Sequence, residues 1–555
     1  MIILRRALVS LRIPTTLFAA LALAGTASAQ GYSHVVIAKT GDTAPGTGGL
    51  TFGATFTAPA LNSVSDQYAA AFLAQLTGPG VTANVNDRGI FSRTTAGALE
   101  LVARIGDPIT TGSGTATLGT VGSFPAVGLD GRVGIVGTLT GGGITTANDG
   151  AVWVGTPGNL TLVAREGDAV PNGGGVTFTQ VISSPLMLAE GSVVIAAQTS
   201  DGRSGLFTGS ATNVSAFAQT NTTAPDTGGA TFSGVSFETA STNGTIGFRG
   251  NLVVGGSVTT ANSVGIWAGS TPGNTRLVIR ADQIAPTIGT AVVSLGGLAT
   301  LGNGQIVVPA TVATGGAVTT ANDSGLFVGT SQANLQLVVR EGMTIPNSGG
   351  AILGGVTSPF AGGNTVGFRT VVAGAPPTSD SALFTWNQTA GLVMLAREGN
   401  TAPGTGGAAF GQLGTGSPTF IFGQIFTLNR DGRAAFYAPL TGTGVDSTNN
   451  TGIWAETDGG LVLVARKGQQ IDLDPGPGTD FATIASLGLY DNGPPTGIGL
   501  GMNSGYGSYG AGFEVAWAAT FTDGRTAAFV SVIPVPEPGC VLAVAAVAVL
   551  LRRRK

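Results

Sequence analysis

One segment of this chain keeps returning. Residues 160–171 read LTLVAREGDAVP, and versions of it stand at 35–45 (VVIAKTGDTAP), 99–108 (LELVARIGDP), 276–286 (RLVIRADQIAP), 335–346 (LQLVVREGMTIP), 393–403 (VMLAREGNTAP) and 461–468 (LVLVARKG), with a degenerate copy at 214–225 (VSAFAQTNTTAP). Numbered by the basic residue or its substitute, the series is Lys39, Arg104, Arg165, Gln219, Arg280, Arg340, Arg397 and Arg466, spaced 54 to 69 residues apart. A long, steady period means that one supersecondary unit has been multiplied. Such a unit cannot bury its own apolar face and must stack on its neighbours.

The rest of each unit reads as β-structure. After 48 come TFGATFTAPALNS, DQYAAAFLAQLTG, DRGIFSRT and ALELVARIGD, short runs of strand formers bounded by Gly, Asn, Asp or Pro. That predicts four strands per unit. With 92 glycines and only 10% charged residues, the composition suits many short strands and tight turns. The third strand carries an aromatic in every unit, as in Ala151-Val152-Trp153, Gly265-Ile266-Trp267 and Gly452-Ile453-Trp454. Trp153, Trp267 and Trp454 are expected to fill the gap between packed sheets, each burying roughly 150–250 Å².

The two ends of the repeat array decide its topology. After Arg466 the chain supplies three strand-like pieces, FATIASLGLYDNG at 481–493, GFEVAWAATFTDGR at 512–525 and TAAFVSVI at 526–533, but no fourth; the missing strand stands alone at 34–39, ahead of the first unit. An open solenoid would carry polar end caps instead. A closed propeller explains the complement, because the N-terminal strand completes the last sheet and removes its free edge. The fold expected is all-β: an eight-bladed β-propeller of four-stranded blades over residues 30–533, with seven blades or a β-solenoid as the alternatives.

The flanks are addresses rather than fold. Residues 1–29 run from Arg5, Arg6 and Arg12 through an apolar stretch to Ala27-Ser28-Ala29, the order of a secretory signal peptide. Residues 534–555 read PVPEPGCVLAVAAVAVLLRRRK: a Pro-rich break, an apolar segment at 540–551, then a basic cluster. That arrangement suggests a short transmembrane helix, although twelve residues fall below the roughly 20 needed for a full span. Val535, Pro536, Glu537 and Pro538, followed by Arg552, Arg553 and Arg554, resemble a PEP-CTERM sorting signal. The resemblance implies processing by exosortase-type machinery after a transient inner-membrane stage. It also implies delivery to the cell surface or extracellular matrix of a Gram-negative bacterium. The body resembles tandem repeats with N-x-x-G and R-E-G-x-x-x-P signatures, known from secreted proteins with varied C-terminal anchors; that family supplies no activity.

Little in the sequence points to catalysis. Cys540 is the sole cysteine and His34 the sole histidine, which leaves no intrachain disulfide and no Cys- or His-rich zinc site. No cofactor is expected. A net charge of −4 gives little reason to bind nucleic acid phosphates. Asp130, Asp201, Asp431 and Asp523 stand beside glycines as turn formers; only if their turns met on one face could they serve a carboxylate-dependent glycoside hydrolase. Arg104, Arg165, Arg280, Arg340, Arg397 and Arg466 are read as structural, each bonding a turn or a neighbouring blade. Along the Arg165 strand, Leu162, Ala164 and Glu166 are expected on one face, Val163 and Arg165 on the other. The expected role is a non-enzymatic surface or matrix protein that binds extracellular polysaccharide or other surface proteins. The alternatives are a carbohydrate-binding propeller, with Tyr68, Tyr437 or Tyr490 as stacking platforms, and the hydrolase. Mass spectrometry of surface-recovered protein is expected to find a C terminus cut near 536–539; an intact basic tail would refute processing.

Overall fold

The computed structural model describes residues 33–533, apart from 58, 65–66, 113, 124, 129, 182–184, 189–191, 211–212, 242, 414–425, 475–478 and 490–513. Residues 1–29, expected as a signal peptide, and 534–555, expected as a sorting signal with Val535 to Pro538 and Arg552 to Arg554, lie outside the described residues.

The described strands form eight antiparallel sheets, the blades of an eight-bladed propeller. Each blade is a meander of four successive strands. In the fifth blade these are Val292–Leu295 with Ala299–Thr300, then Ile306–Val312, Ser324–Gly329 and Gln336–Arg340. The first strand is often broken into two pieces, so most sheets hold five strands rather than the expected four. Second pieces of neighbouring blades touch, as Ala60–Val64 does Ala126–Val127, which places the first strands around the axis.

The eighth blade is closed by the N terminus. Ser33–Lys39 pairs with Thr526–Val532, running from Ser33 opposite Val532 to Lys39 opposite Ala527. The seam continues in a bond from the Thr40 N–H to the Thr526 carbonyl at 2.9 Å. Asp480 accepts bonds from Lys39 Nζ at 3.0 Å and from Arg525 Nη1 at 2.7 Å, and both cations hold its carboxyl below the usual range. His34 lies against the seam, its Nδ1 2.7 Å from Ser531 Oγ and its ring edge-on to Trp517 at 5.8 Å.

Apolar side chains sit between blades rather than within them. One cluster joins Ile453 and Val464 of the seventh blade to Trp517 and Phe529 of the eighth; another joins Ala528 and Val530 of the eighth to Phe52, Phe72 and Phe91 of the first. Six more clusters link the blades in between, so the apolar core is itself a ring. In the third strand the aromatic faces the preceding blade and the residue before it the following one. Trp267 packs on the third blade and Ile266 on the fifth; Trp454 packs on the sixth and Ile453 on the eighth. Trp153, Trp267 and Trp454 are fully buried, and each indole N–H donates to a carbonyl of the chain entering its blade: Thr110, Pro225 and Pro403, at 2.8 to 3.0 Å.

The face assignment expected for the fourth strand does not hold. Val152 pairs with Ala164 and Trp153 with Leu162, leaving Val163 as a bulge. The register slips at the same place in all eight blades, leaving Ile37, Val102, Phe217, Val278, Val338, Leu395 and Val464 unpaired in the others. An extra residue breaks the two-residue alternation. Val163 and Ala164 therefore both pack towards the third blade, while Leu162 leans on the first.

The expectation of a transmembrane helix is corrected as well. Among the described residues no helix is long and apolar enough to cross a membrane; the described helical elements are three-residue 3-10 turns. Apolar runs here are spent on strands, and the 540–551 segment proposed for a span lies outside the described residues.

Deleting residues 33–42 is expected to lower the melting temperature and promote association, read by calorimetry and light scattering, because it bares the Thr526–Val532 edge. Burial lowers the His34 pKa from its ordinary 6.5. The unfolded chain then binds the extra proton more readily, so stability is full above about 6.5 and declines as pH falls below it. His34→Gln should flatten that part of the denaturation profile.

Candidate binding site

Meander topology sorts the loops onto two faces. Second-to-third loops and the passages between blades lie on one face; first-to-second turns and third-to-fourth hairpins lie on the other.

The repeated R-E-G motif works on the first of these faces. Each repeat Arg donates from Nε to a carbonyl just ahead of the third strand of its own blade. Arg104 reaches Asn86 at 3.0 Å, Arg165 Asn148 at 2.8 Å, Arg340 Asn322 at 2.8 Å, Arg397 Ser379 at 2.8 Å and Arg466 Asn449 at 2.9 Å, while Arg280 bonds Asn262 in the same way. The neighbouring Glu ties blade to blade. Glu166 accepts from the Gly150 N–H at 3.0 Å and, with its other oxygen, from the Val181 N–H of the third blade at 3.1 Å. Where Ser replaces Gly150, the hydroxyl relays the bond: Ser381 Oγ donates to Glu398 at 2.9 Å and accepts from the Leu413 N–H of the seventh blade at 2.7 Å. A Cβ at Gly150 would lie 2.5 Å from Glu166 Oε1, so a side chain there would require the carboxylate to move aside. The Val181 and Leu413 amides lie where a first strand breaks, and these bonds satisfy groups that are costly to leave unpaired.

The four turn aspartates do not converge. Asp130 and Asp431 follow first strands, whereas Asp201 and Asp523 follow second strands, which puts the pairs on opposite faces. Three of them share one local structure. Asp130 accepts from the Arg132 N–H at 3.1 Å and pairs with its guanidinium at 3.1 Å; Asp201 with Arg203 and Asp523 with Arg525 repeat the arrangement.

Asp431 breaks the pattern. Its turn is capped by Asn429, whose Oδ1 accepts from the N–H of Asp431 at 3.0 Å and of Arg433 at 2.8 Å. Arg433 turns away to pair with Asp458. Asp431 is thus exposed and released from both turn duties.

It opens onto a depression of about 630 Å³ between the fifth, sixth and seventh blades. The walls come from three first-strand turns (Asn303, Asn364 and Arg430-Asp431) and from the hairpin at 386–389. The turns are bound to one another: the Asn303 N–H donates to Asn364 Oδ1 at 3.0 Å, and the Gly302 N–H to the Gly363 carbonyl. Trp386 forms an aromatic wall, packed on one side against the core between the fifth and sixth blades. Unlike Trp153, Trp267, Trp454 and Trp517, its indole N–H makes no hydrogen bond among the described residues. The side chains of Arg430, Asp431 and Gln388 likewise have no partner there.

Trp386 and Arg430 did not stand out in the sequence, because Trp386 lies two residues past the repeat aromatic Phe384 and looks like strand filling. Tyr68 and Tyr437, the expected stacking residues, are buried, and Tyr490 lies outside the described residues. Burial pushes the hydroxyls of Tyr68 and Tyr437 up in pKa.

A family model described as a family of unknown function (DUF7453) matches residues 15–367 and 355–542. No curated protein matches the sequence. Among solved structures, the β-propeller domain of the Trilobed protease from Pyrococcus furiosus is 10% identical at a TM-score of 0.38, over 75% of this chain and 99% of that one. An acylaminoacyl peptidase from Pyrococcus horikoshii is 8% identical at 0.37; the match takes in 79% of this chain and 58% of the peptidase. Aleuria aurantia lectin, solved with α-methyl-L-fucoside, is 12% identical at 0.25, over 63% and 97%.

Replacing Glu166 with Gln leaves one of the two amides facing an NH₂ group. The expected loss is about 1–3 kcal/mol of stability, measured by urea denaturation. Asp130→Asn, at an exposed turn, is expected to cost less than about 1 kcal/mol.

Proposed function

We propose, from the premise that the chain belongs to the family of unknown function DUF7453, that this propeller is a non-enzymatic binding scaffold at the cell surface or in the extracellular matrix. The signal peptide and the PEP-CTERM-like tail support export, with exosortase-type machinery as the processing partner and extracellular polysaccharide or surface proteins as the binding partners.

One observation carries the binding reading: a polar depression whose Arg430, Asp431, Gln388 and Trp386 have hydrogen-bonding capacity unspent within the described protein. Polar groups converging in a concavity on a rigid frame are what recognition requires. The same depression argues against glycoside hydrolysis. That chemistry uses two carboxyl groups roughly 5–9.5 Å apart, and among the described residues Asp431 is the single carboxylate lining this one. Fold does not settle the matter, because propellers host both enzymes and binding modules.

The purified chain, incubated with extracellular polymer from a producing culture, is expected to co-sediment with the polymer and to release no new reducing ends. Turnover abolished by a single Asp or Glu substitution would overturn the non-enzymatic reading.

A further inference from the structure

Building on that binding reading, we propose that the depression at the Trp386 hairpin is a site for a neutral sugar ring, stacked on the indole and held through its hydroxyls by Asp431 and Arg430. The argument is a departure from the repeat. At the same turn position in other blades, Asp130, Asn243 and Asn303 each cap the amide two residues on, at 3.0 to 3.1 Å. In the seventh blade Asn429 has taken over that task, and Arg433, which would have neutralised Asp431, is engaged by Asp458. The substitution frees one acceptor-only carboxylate at the rim. Arg430 beside it supplies donors, again without a protein partner among the described residues. A carboxylate next to a guanidinium matches adjacent hydroxyls, each of which both donates and accepts.

The third element is the aromatic wall. Trp386 is only partly exposed, its ring held by the packing of Val366 and Leu392 on either side in the sheet. Its N–H is left for a ligand, and a flat face with a polar tip suits a sugar's C–H surface and its hydroxyls together. The remaining lining is amide and hydroxyl: Asn303, Asn364, Gln388 and Thr389. A peptide would need a second apolar wall for its side chains, and Leu301, the aliphatic side chain at this site, is itself buried. Among the described residues lining it, one cation is balanced by one anion, which on a chain of net charge −4 gives no attraction for an acidic polymer.

The test is a fluorescence titration of the purified full-length chain with neutral gluco-, manno- and galacto-oligosaccharides, and with uronic acid oligosaccharides as the comparison. The expected result is a saturable change in tryptophan emission with at least one neutral series. Trp386→Ala should abolish the change, and Asp431→Asn should weaken binding at least tenfold. Asp130→Asn, at the equivalent turn of the second blade, should leave it unaltered. Unchanged unfolding curves for the two site variants would show that the loss is local. Preference for uronic acids, or binding by isothermal calorimetry that survives both site variants, would overturn the assignment. Sedimentation with polymer in the absence of any oligosaccharide response would overturn the sugar site alone and leave the scaffold reading standing. Failure of both assays would remove both.

Discussion

Everything in this molecule depends on there being no free sheet edge at the seam. A ring of eight blades made from a linear chain has one place where covalent continuity cannot help. There the strand at Ser33–Lys39 must find Thr526–Val532 across nearly the whole sequence. Six backbone pairings, the Asp480 bridge to Lys39 and Arg525, and the His34–Ser531–Trp517 contact converge on that junction. Without it, the apolar clusters on either side of the eighth blade lose a wall each.

Stability inside the ring is assembled from two separable devices. Dispersion and hydrophobic burial act between blades, through an aromatic that always leans backward. At some junctions hydrogen bonding adds a tie between blades, through Glu166 directly or through the Ser381 relay to Glu398. The Arg beside it has a different office, pinning the loop of its own blade. Two adjacent residues of one motif thus control two different levels of organisation. Arg249 adds a variant in the fourth blade, reaching the Leu295 and Gly296 carbonyls where the fifth blade's first strand breaks.

The architecture was legible because its evidence is periodic. Spacing of the Arg series gave the unit, and the surplus strand at 34–39 gave closure. What could not be read was anything that departs from alternation. The fourth-strand bulge is hidden because Leu-Val-Ala-Arg looks the same with or without a slipped register. The break in the first strand is equally silent, since its amides are satisfied by a neighbouring blade some fifteen residues earlier. The depression beside Trp386 was illegible for the opposite reason. Asp431-Gly432-Arg433 has the same letters as Asp130-Gly131-Arg132, and only Asn429 and Asp458, brought in by the fold, change what its carboxylate does. Tyr68 and Tyr437 failed as platforms because strand residues flanked by small neighbours are drawn into the inter-blade core.

The position of the last strand has a mechanical consequence. Thr526–Val532 is an interior strand, with Glu514–Phe521 hydrogen-bonded along one side and Ser33–Lys39 along the other. Tension transmitted through the chain beyond 533 therefore pulls along a strand clasped on both flanks. Two ladders must slide together before it yields, whereas an edge strand would peel one bond at a time. A pull on the chain at 533 would therefore load the ring in shear, across both ladders at once.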